Sequence, residues 1–490
     1  MNVARLEIKS LGSKLIPLDM DAPGMVDVWT HLDAFLSYEI HNAFFIKATS
    51  TKSFIRDQWD GREHLFKKNG TFLTGLLPEV IDTLAQYNIP YETIDHRPTY
   101  TSTTPPLEFA PHLDIREYQD DAVNECVSAK RGVIWARPRS GKTVMEVILV
   151  QRLNLFPVLS ICQSIDVAKQ TLRNFQEFLP DADVGIIGDG TCDIKPITIV
   201  TIQSLSSAYN IKEKIPKNEL ERTPSQQQKL DIQKLVEEAK MVWVDECHHA
   251  VSSTHKYILQ NKIYSAEYIL GCSGTPFRED NTNLLLTALI GPIIYEINYS
   301  KLIDETFLVR PTIHIVKLPK RPEIVDGSAY STIYKQAITE NEERNGIIAR
   351  IVMDLVNRKK TCMILVNKVT HGKLLAKMIP SAEFSYSKTK DREQLWIRLR
   401  ERTLPCLITT LGDEGVDIPS LDATIVAAGG KSAIKVFQRM RCMTPYPGKT
   451  HAIVVDFNDP YKYLSSHSKK REKLYKSEPS FVLNYKKVAK

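Results

Sequence analysis

Short runs of β-branched and other apolar residues recur along the chain from residue 113 onward. The first series is VIWA, VLSIC, ITIVTI, MVWVDE and YILGCS, and a second series, TIHIVKL, CMILVN, CLITT, ATIVAA and HAIVVDF, begins near Pro311. Helical stretches separate the runs, which is the pattern of a parallel sheet wound by crossover helices. The sequence therefore predicts an α/β fold with two parallel-sheet domains in tandem.

The segment before residue 97 has a different pattern of polar and apolar residues. Residues 53–89 predict two short strands around the turn KKNG, followed by a helix with apolar positions at Val80, Ile81, Leu84 and Tyr87. Residues 97–111 hold four prolines among threonines and favour extended backbone. We therefore expect a small α+β domain at 1–96, a linker at 97–111, and α/β domains at 112–308 and 309–460.

Two polar segments interrupt or follow this pattern. Residues 211–240 are mostly polar and predict an exposed, partly helical insertion in the first α/β domain. Residues 461–490 predict a basic C-terminal tail, with closely spaced Lys469, Lys470, Arg471 and Lys473. This tail is either a solvated end or an arm that contacts phosphates.

Composition narrows the class of protein. A chain of 490 residues exceeds the usual size of one core, and its 64 basic against 58 acidic residues leave a net charge of only +6. A nucleic-acid site must therefore come from local clustering of charge. The eight cysteines lack paired spacing, and no signal peptide or membrane-length apolar run is found. We expect a cytoplasmic protein without a membrane partner, with reduced and mostly buried thiols.

The segment VIWARPRSGKTVMEVIL has the strand, turn and helix that a phosphate-binding loop requires. Loop amides would hold the phosphates, Lys142 would neutralise them, and the Thr143 hydroxyl would bind Mg²⁺. A lysine that merely opens a helix is the alternative. Ala136 and Arg139 stand where this motif often has glycine. The predicted nucleotide-binding residues of the loop are Pro138, Arg139, Ser140, Gly141, Lys142 and Thr143.

A second signal is MVWVDECHHA, in which an apolar run ends in two adjacent carboxylates about 100 residues after Lys142. Asp245 would bind the metal, and Glu246 would orient and polarise the water that attacks the γ-phosphate. Such a pair also occurs in solvent-facing turns. Its combination with the upstream GKT predicts ATP hydrolysis with Mg²⁺.

DECH after an upstream GKT resembles the superfamily 2 helicases, and further motifs follow in the order of that family. The resemblance implies two RecA-like domains and a role for each motif. The resemblance assigns contacts with adenine to Arg116 and Gln119. It assigns coupling between the ATP site and the nucleic-acid track to His248, Ser273, Gly274 and Thr275. It assigns contacts with nucleic acid to Gln163, Ser164, Thr201, Gln203, Ser204, Thr409 and Thr410. In the second domain it assigns contacts with the nucleotide to Gly415 and Asp417.

The last family motif, QxxGRxxR, is altered to QRMRCMTP at residues 438–445. Cys442 occupies the position of an expected arginine. The candidate catalytic residues here are Gln438, Arg439 and Arg441, and the arginine finger must be Arg439 or Arg441 if the chain has one. A finger contributes about 10³ to 10⁵ in rate in related phosphoryl-transfer enzymes, so the strength of hydrolysis depends on its identity.

The N-terminal stretch QWDGREHLFKKNG resembles the start of the bacteriophage UvsW-type recombination and repair helicases. This resemblance implies a monomeric DNA-dependent ATPase in the host cytoplasm that remodels forks and junctions in replication, recombination or repair. Trp59 and Arg62 could stack on and contact DNA, although a tryptophan packed in its own core is the alternative. Two rival functions stay open: a duplex translocase without strand separation, and a DNA-binding module that no longer hydrolyses ATP.

Overall fold

The structure is a computed structural model that describes residues 3–53, 55, 58–209, 222–274, 282–321, 324, 329–410, 418–430 and 440–487. The chain divides into two compact units, Met1–Ile297 and Asn298–Lys490. This division falls eleven residues before the boundary that we placed at 308, and it does not separate the predicted N-terminal domain from the first α/β domain. The sequence-based domain limits stay predictions.

A four-stranded sheet in the order β5-β2-β1-β6 forms the first part of the first unit. Strand β1 pairs antiparallel with β2 and parallel with β6, and its alternating side chains Ala4, Leu6 and Ile8 are buried. Strands β3 and β4 form a separate antiparallel pair. The elements are β1 (Ala4–Ile8), β2 (Gly12–Pro17), α1 (Met25–Phe35), β3 (Ser37–Glu39), α2 (Ala43–Thr49), β4 (Arg62–His64), β5 (Thr71–Leu73), α3 (Leu77–Gln86) and β6 (Tyr91–Asp95).

The predicted strands around KKNG exist, but they do not form a hairpin with each other. Strand β4 pairs with β3 (Ser37–Glu39) and strand β5 pairs with β2 (Gly12–Pro17), because the segment before residue 53 supplies partners that we did not expect there. Gly70 closes the turn at φ +80°, and a Cβ at this position would lie 2.1 Å from the carbonyl oxygen of Leu15. The predicted helix is confirmed as α3, with Val80 and Leu84 buried.

An eight-stranded sheet follows in the same unit, in the order β10-β9-β11-β8-β12-β13-β7-β14. Only the short edge strand β10 is antiparallel to its neighbour among the described pairings. The strands are β7 (Arg131–Ala136), β8 (Val158–Cys162), β9 (Val184–Gly188), β10 (Thr191–Cys192), β11 (Ile197–Thr201), β12 (Met241–Asp245), β13 (Tyr268–Ser273) and β14 (Ile293–Ile297). The helices are α4 (Glu117–Ala129), α5 (Lys142–Leu153), α6 (Ile165–Phe178), α7 (Ile202–Tyr209), α8 (Pro224–Glu238), α9 (Ser253–Asn261) and α10 (Asn283–Leu289).

The N-terminal sheet packs on this α/β sheet through a shared hydrophobic core. Arg131 bridges the two parts: its Nη1 donates to the carbonyl oxygen of Ser10 at 2.5 Å and its Nε donates to that of Ile290 at 2.8 Å. Burial, with a smaller effect from Arg97, lowers the pKa of Arg131 to about 9. The N-terminal part is therefore integrated with the first α/β sheet.

The prediction of an exposed insertion at 211–240 is partly wrong. Helix α8 forms there, but one face is buried through Ile232, Leu235 and Val236. Thr223 caps its start, with its Oγ1 accepting from the amide of Gln226 at 3.3 Å. The three apolar side chains at helical spacing bury this face, and the surrounding glutamines and lysines hid that signal. Residues 211–221 lie outside the described residues.

The second unit contains a seven-stranded sheet in the order β17-β18-β16-β19-β20-β15-β21, parallel in every described pairing. The strands are β15 (Pro311–Lys317), β16 (Cys362–Leu365), β17 (Ala382–Ser385), β18 (Cys406–Thr409), β19 (Ala423–Val426), β20 (Ala452–Asn458) and β21 (Val482–Lys487). The helices are α11 (Tyr299–Asp304), α12 (Tyr330–Tyr334), α13 (Glu342–Asn357), α14 (Val369–Met378), α15 (Arg392–Arg400) and α16 (Lys462–Lys476).

The predicted basic tail at 461–490 is wrong as a separate segment. Strand β21 pairs with β15, and α16 buries Leu464 and Tyr475. The guanidinium of Arg471 is buried and donates to both carboxylate oxygens of Asp456, from Nε at 2.8 Å and Nη2 at 2.9 Å. A charge cluster in the sequence thus contains a core residue, whose partner lies fifteen positions earlier.

Two expectations from composition can be compared with the described part of the chain. Seven of the eight cysteines are buried, as predicted. Among the helices that the structure describes, none combines the length and the apolar character needed to cross a membrane.

The buried His371 in α14 gives a prediction for stability against pH. Its Nε2–H donates to Oδ1 of Asn345 at 2.9 Å, and burial, aided by Arg344, lowers the pKa of His371 to about 3. Between that value and the ordinary pKa near 6.5 the unfolded chain binds the extra proton, so stability is complete above this range and falls as pH falls. We expect this residue to cost about 2 kcal/mol of unfolding free energy between pH 7 and pH 5.

Denaturant unfolding of wild type and His371→Gln at these two pH values measures the effect. Glutamine keeps an N–H donor for Asn345 and does not titrate, so the variant should lose less stability on acidification. Equal losses in the two proteins would contradict this role of His371.

Candidate active site

Three strands place the predicted catalytic segments at one edge of the eight-stranded sheet. Strands β7, β13 and β12 are neighbours and parallel, with Asp245 opposite Cys272 and Ser273 opposite Trp135. The carboxyl ends of parallel strands share one edge, which is where α/β sheets bind ligands. The phosphate loop, the DE pair and the SG segment therefore converge, as their order in the sequence led us to expect.

The phosphate loop turns between the end of β7 at Ala136 and the start of α5 at Lys142. Two of its residues lie in the left-handed backbone region, Arg139 at φ +74° and Gly141 at φ +79°. Glycine adopts this conformation without strain, whereas arginine does so at a cost. Arg139 thus keeps the backbone conformation that glycine favours at a position where the motif often has glycine.

Helix α4 supports the loop from behind. Nε2 of Gln119 and the hydroxyl of Tyr118 both donate to the carbonyl oxygen of Ser140, at 3.1 and 3.0 Å. Nη1 of Arg116 donates to the same tyrosine hydroxyl at 2.8 Å. Gln119 and Arg116, predicted from the sequence as adenine contacts, are here connected to the loop backbone. Tyr118 was missed, because an apolar-type residue inside a helix carries no motif signal.

Gly141→Ala should weaken ATP binding. An added Cβ would lie 2.2 Å from Nε2 of Gln119, and the residue sits at φ +79°. The backbone strain costs about 1–2 kcal/mol, and Gln119 must release the loop. We expect KM for ATP to rise by about tenfold. Steady-state ATPase kinetics test this. Gly190→Ala, at φ +79° in open space, is a control for the strain alone.

Lys142 and Glu246 form a buried ion pair between Nζ and Oε1. Burial alone would lower the pKa of Lys142, but the charges of Glu246 and Asp245 raise it above its ordinary value. Burial alone would raise the pKa of Glu246, but the charge of Lys142 and a hydrogen bond from His248 hold it well below its usual range. Both groups are therefore charged at neutral pH. The lysine predicted to bind phosphate and the carboxylate predicted to orient water are in direct contact.

A second set of contacts ties Glu246 to the SG segment. Oγ of Ser273 donates to Oε2 of Glu246 at 3.4 Å, and Nδ1 of His248 lies 2.9 Å from the same hydroxyl and 3.3 Å from Oε2. Glu246 itself has a left-handed backbone, at φ +45°. A non-glycine residue in this conformation at a polar site is typical of functional strain. The predicted coupling residues His248 and Ser273 thus contact the predicted catalytic carboxylate.

Gly274 continues this link to the phosphate loop. Its carbonyl oxygen accepts from Nε1 of Trp135 at 3.2 Å, and a Cβ at this position would lie 3.1 Å from Cδ of Pro138. Glycine therefore permits the close approach of the two segments. Trp135 also stacks on Arg137, whose guanidinium carbon lies 4.2 Å from the ring centroid.

The residues at this edge fit Mg²⁺ and a triphosphate. The α5 helix has twelve residues and no acidic residue in its first turn, so its N-terminus favours an anion. Oγ of Ser140 is buried and has no hydrogen-bond partner among the described residues. The Thr143 hydroxyl and the Asp245 carboxylate are the oxygen ligands that Mg²⁺ prefers. No group of three or more His, Cys, Asp or Glu side chains suited to a metal occurs in the described residues.

The predicted nucleic-acid residues of the first unit lie at the ends of β8 and β11. Here the structure shows local roles: Oγ of Ser164 accepts from the amide of Val167 at 3.4 Å, and Oγ1 of Thr201 lies 2.9 Å from Oγ of Ser204. Nε2 of Gln203 donates to the carbonyl oxygen of Gln163 at 3.0 Å, which joins the two loops. Contact with phosphates stays a prediction for these residues.

Trp59 and Arg62 have structural partners inside the N-terminal part. Nε1 of Trp59 donates to the carbonyl oxygen of Arg62 at 2.8 Å, and Nε and Nη2 of Arg62 donate to Oγ and the carbonyl oxygen of Ser37 at 2.9 and 2.8 Å. These contacts favour the alternative of local packing, and a DNA contact stays a prediction.

In the second unit, Thr409 is buried at the end of β18, and the amide of Thr410 donates to the carbonyl oxygen of Ser385 at 3.4 Å. Arg441 is buried in the helical turn Arg441–Met443. The predictions for Thr275, Gly415, Asp417, Gln438 and Arg439 lie outside the described residues.

Comparison with known proteins gives the first unit a family match. The family model described as "Type III restriction enzyme, res subunit" matches residues 112–278. Helicase 22 of Sulfolobus islandicus filamentous virus (isolate Iceland/Hveragerdi) is 27% identical over 375 residues, which cover 70% of this chain and 64% of that protein. The ATP-dependent DNA helicase uvsW of Enterobacteria phage T4 is 24% identical over 246 residues, or 47% of this chain and 48% of that protein. The chain thus spans about half to two thirds of the length of these relatives.

Solved structures bear on the fold. A fragment of an HsdR subunit of a type I restriction enzyme from Vibrio vulnificus YJ016 superposes with a TM-score of 0.56 at 18% identity, and the match covers 77% of this chain and 69% of the fragment. At this identity the likeness concerns the fold alone. It agrees with the two parallel sheets described above, and the expected class of tandem RecA-like domains is confirmed.

Proposed function

Because the chain belongs to helicase superfamily 2, we propose that it is a DNA motor driven by ATP hydrolysis. The observation that carries the proposal is the convergence of Lys142, Glu246, His248 and Ser273 at one sheet edge, beside an anion-binding helix terminus. ATP is the substrate and DNA is the activator. Lys142, Asp245 and Glu246 are the residues on which hydrolysis depends.

Catalysis requires that Lys142 and Glu246 change partners. In the structure Lys142 neutralises Glu246. When ATP enters the loop, the ammonium group moves to the phosphate oxygens and releases the carboxylate, which then accepts a hydrogen bond from the attacking water. Magnesium held by Thr143 and Asp245 would offset the negative charge that develops on the phosphates. The ion pair with Lys142 thereby keeps Glu246 from acting on water until ATP occupies the loop.

Ser273 and His248 transmit the opening of the Lys142–Glu246 ion pair to the rest of the first unit. Their hydrogen bonds to Glu246 must rearrange when its ion pair with Lys142 opens. The phosphate contacts that we propose for Gln163, Gln203 and their neighbours then change, which alters how the first unit holds the DNA backbone. Thr409 and Thr410 stay candidates for phosphate contacts of the second unit. Binding should be sensitive to salt and indifferent to sequence. Arg439 and Arg441 stay the proposed candidates for an arginine finger.

The substrate that we propose is branched DNA, such as a replication fork or a four-way junction. The support is the WDG stretch that begins at Trp59 and the similarity to the DNA helicase uvsW of phage T4. A role in replication, recombination or repair in the cytoplasm of a host cell, as a monomer, belongs to the same proposal.

An ATPase assay with separate activators tests the proposal. Fork, four-way junction, duplex DNA, single-stranded DNA and RNA are compared at equal nucleotide concentration. The proposal expects the forked and four-way substrates to give the highest turnover. If RNA were the best activator, branched DNA would be excluded as the preferred partner.

A second candidate is a translocase that moves on duplex DNA without separating its strands. The match of residues 112–278 to a restriction enzyme subunit favours it. Both candidates hydrolyse ATP on DNA, so they differ only in the mechanical product. Displacement of a labelled strand from a fork supports strand separation, whereas displacement of a third strand from a triplex without duplex opening supports translocation.

A further inference from the structure

Helix α9 begins four residues after His249, the last residue of the turn that follows Glu246. Its first turn carries His255, whose ring is only 2% exposed. Nδ1 lies 2.8 Å from Oγ of Ser252, and Nε2 lies 3.2 Å from Nε2 of Gln163. Both ring nitrogens therefore have polar partners, one beside the catalytic turn and one in the loop after β8.

The directions of these hydrogen bonds follow from the chemistry of the groups. Burial, with a smaller effect from His249, lowers the pKa of His255 to about 4, so the ring is neutral at pH 7. The amide nitrogen of Gln163 can only donate, so Nε2 of the ring accepts and Nδ1–H donates to Ser252. A neutral ring with this tautomer satisfies both partners.

The chain of hydrogen bonds continues to the neighbouring loop. The main-chain carbonyl oxygen of Gln163 accepts from Nε2 of Gln203 at 3.0 Å. Gln203 is exposed and Gln163 is half-buried, so their surface can meet a ligand. Ser252, His255, Gln163 and Gln203 thus form one continuous path. It runs from the segment after the DECH turn to both loops that we expect to contact nucleic acid.

We infer that His255 is a positioning residue that holds the Gln163 and Gln203 loops in the orientation that binds DNA. The inference rests on the proposed function and extends it. A rigid ring held at both nitrogens transmits a displacement of the turn to Gln163, since α9 and the turn are nearly continuous. His255 itself touches neither ATP nor DNA. Loss of its bond to Gln163 therefore weakens activation by DNA and spares hydrolysis without DNA.

Two substitutions separate this role from simple packing. In His255→Gln the amide reaches the position of Nε2 and can still accept from Gln163. In His255→Asn the shorter amide reaches only the position of Nδ1, so the bond to Ser252 is kept and that to Gln163 is lost. ATP turnover is measured without DNA and against increasing concentrations of fork DNA, and thermal unfolding is recorded for each protein.

The expected result is a split between the two variants. His255→Asn should raise the DNA concentration for half-maximal turnover about fivefold, which corresponds to one lost hydrogen bond. His255→Gln keeps the bond to Gln163 and loses only the bond to Ser252, so it should raise this concentration less. Turnover without DNA should be equal in all three proteins. Equal activation constants for the two variants, or a parallel loss of turnover without DNA, would overturn the inference.

Ser252→Ala serves where a substitution at the buried ring prevents folding. Ser252 is exposed, and loss of its hydroxyl group removes the partner of Nδ1 of His255. We expect a smaller rise in the DNA concentration for half-maximal turnover. No rise would count against the inference. The matched control is Lys256→Gln, on the same helix, where Nζ pairs with Glu63 at 2.9 Å and not with Gln163. A wild-type protein that no DNA activates would overturn the proposed function as well.

Discussion

Glu246→Gln should lower DNA-stimulated ATP turnover by about 10³-fold, within the range that general-base catalysis contributes. Glutamine has nearly the same shape and keeps hydrogen bonds to Ser273 and His248, but its amide cannot accept a proton from water. Lys142 loses its ionic partner in this variant. ATP affinity should therefore be unchanged or tighter, and the defect should be confined to the chemical step.

Two measurements separate binding from chemistry for this variant: equilibrium binding of a fluorescent ATP analogue and single-turnover hydrolysis. Glu238→Gln is the matched control, because Glu238 is exposed on α8 in a surface ion pair with Lys234. It should keep wild-type kinetics. If Glu246→Gln hydrolysed ATP at the wild-type rate, Glu246 would have no catalytic role.

Lys142→Ala should lower turnover by about 10²- to 10³-fold, the usual loss when one preorganised charged or hydrogen-bonding group is removed from a transition state. In contrast to the previous variant, ATP affinity should fall as well, because we propose that this ammonium binds the phosphates directly. The nucleotide-free protein should also lose stability. Breaking a buried pair leaves Glu246 with an uncompensated charge, which costs up to about 3 kcal/mol, less what His248 recovers.

Nucleotide binding and thermal unfolding test the second variant together. Lys234→Ala, which removes the exposed partner of Glu238, controls for loss of a lysine from the surface and should change neither quantity. Weakened ATP binding with undiminished catalysis at saturation would mean that Lys142 acts in the ground state alone.

The fold was predictable where the chain buries strands on both faces. Continuous apolar runs such as MVWVD and CLIT carry their own signal, and both became interior strands with a neighbour on each side. Strands β1 and β2 were missed because each has only five or six residues, too few for their alternating pattern to stand out, so they depend on their pairing with each other. Arg471 was assigned to a basic tail, either a solvated end or an arm that contacts phosphates, for a similar reason. Nothing local shows that a lysine-rich helix buries an arginine against a carboxylate of another strand.

The candidate site was predictable in its chemistry and less so in its contacts. Motif order indicated that Lys142 and Glu246 would meet, since both follow strands of one parallel sheet. It did not indicate that they pair directly, because that depends on side-chain geometry at the sheet edge. His255 carries no motif signal at all. Its role emerges only when folding brings Gln163, ninety-two positions away, to its ring.

ATP turnover by the wild-type protein, measured with and without DNA at low salt, tests the central claim most directly. The account predicts that turnover rises severalfold on addition of DNA, and that the rise disappears in Lys142→Ala and in Glu246→Gln. Turnover that is the same with and without DNA, or that survives both substitutions, would contradict an ATP-driven DNA motor built on this site.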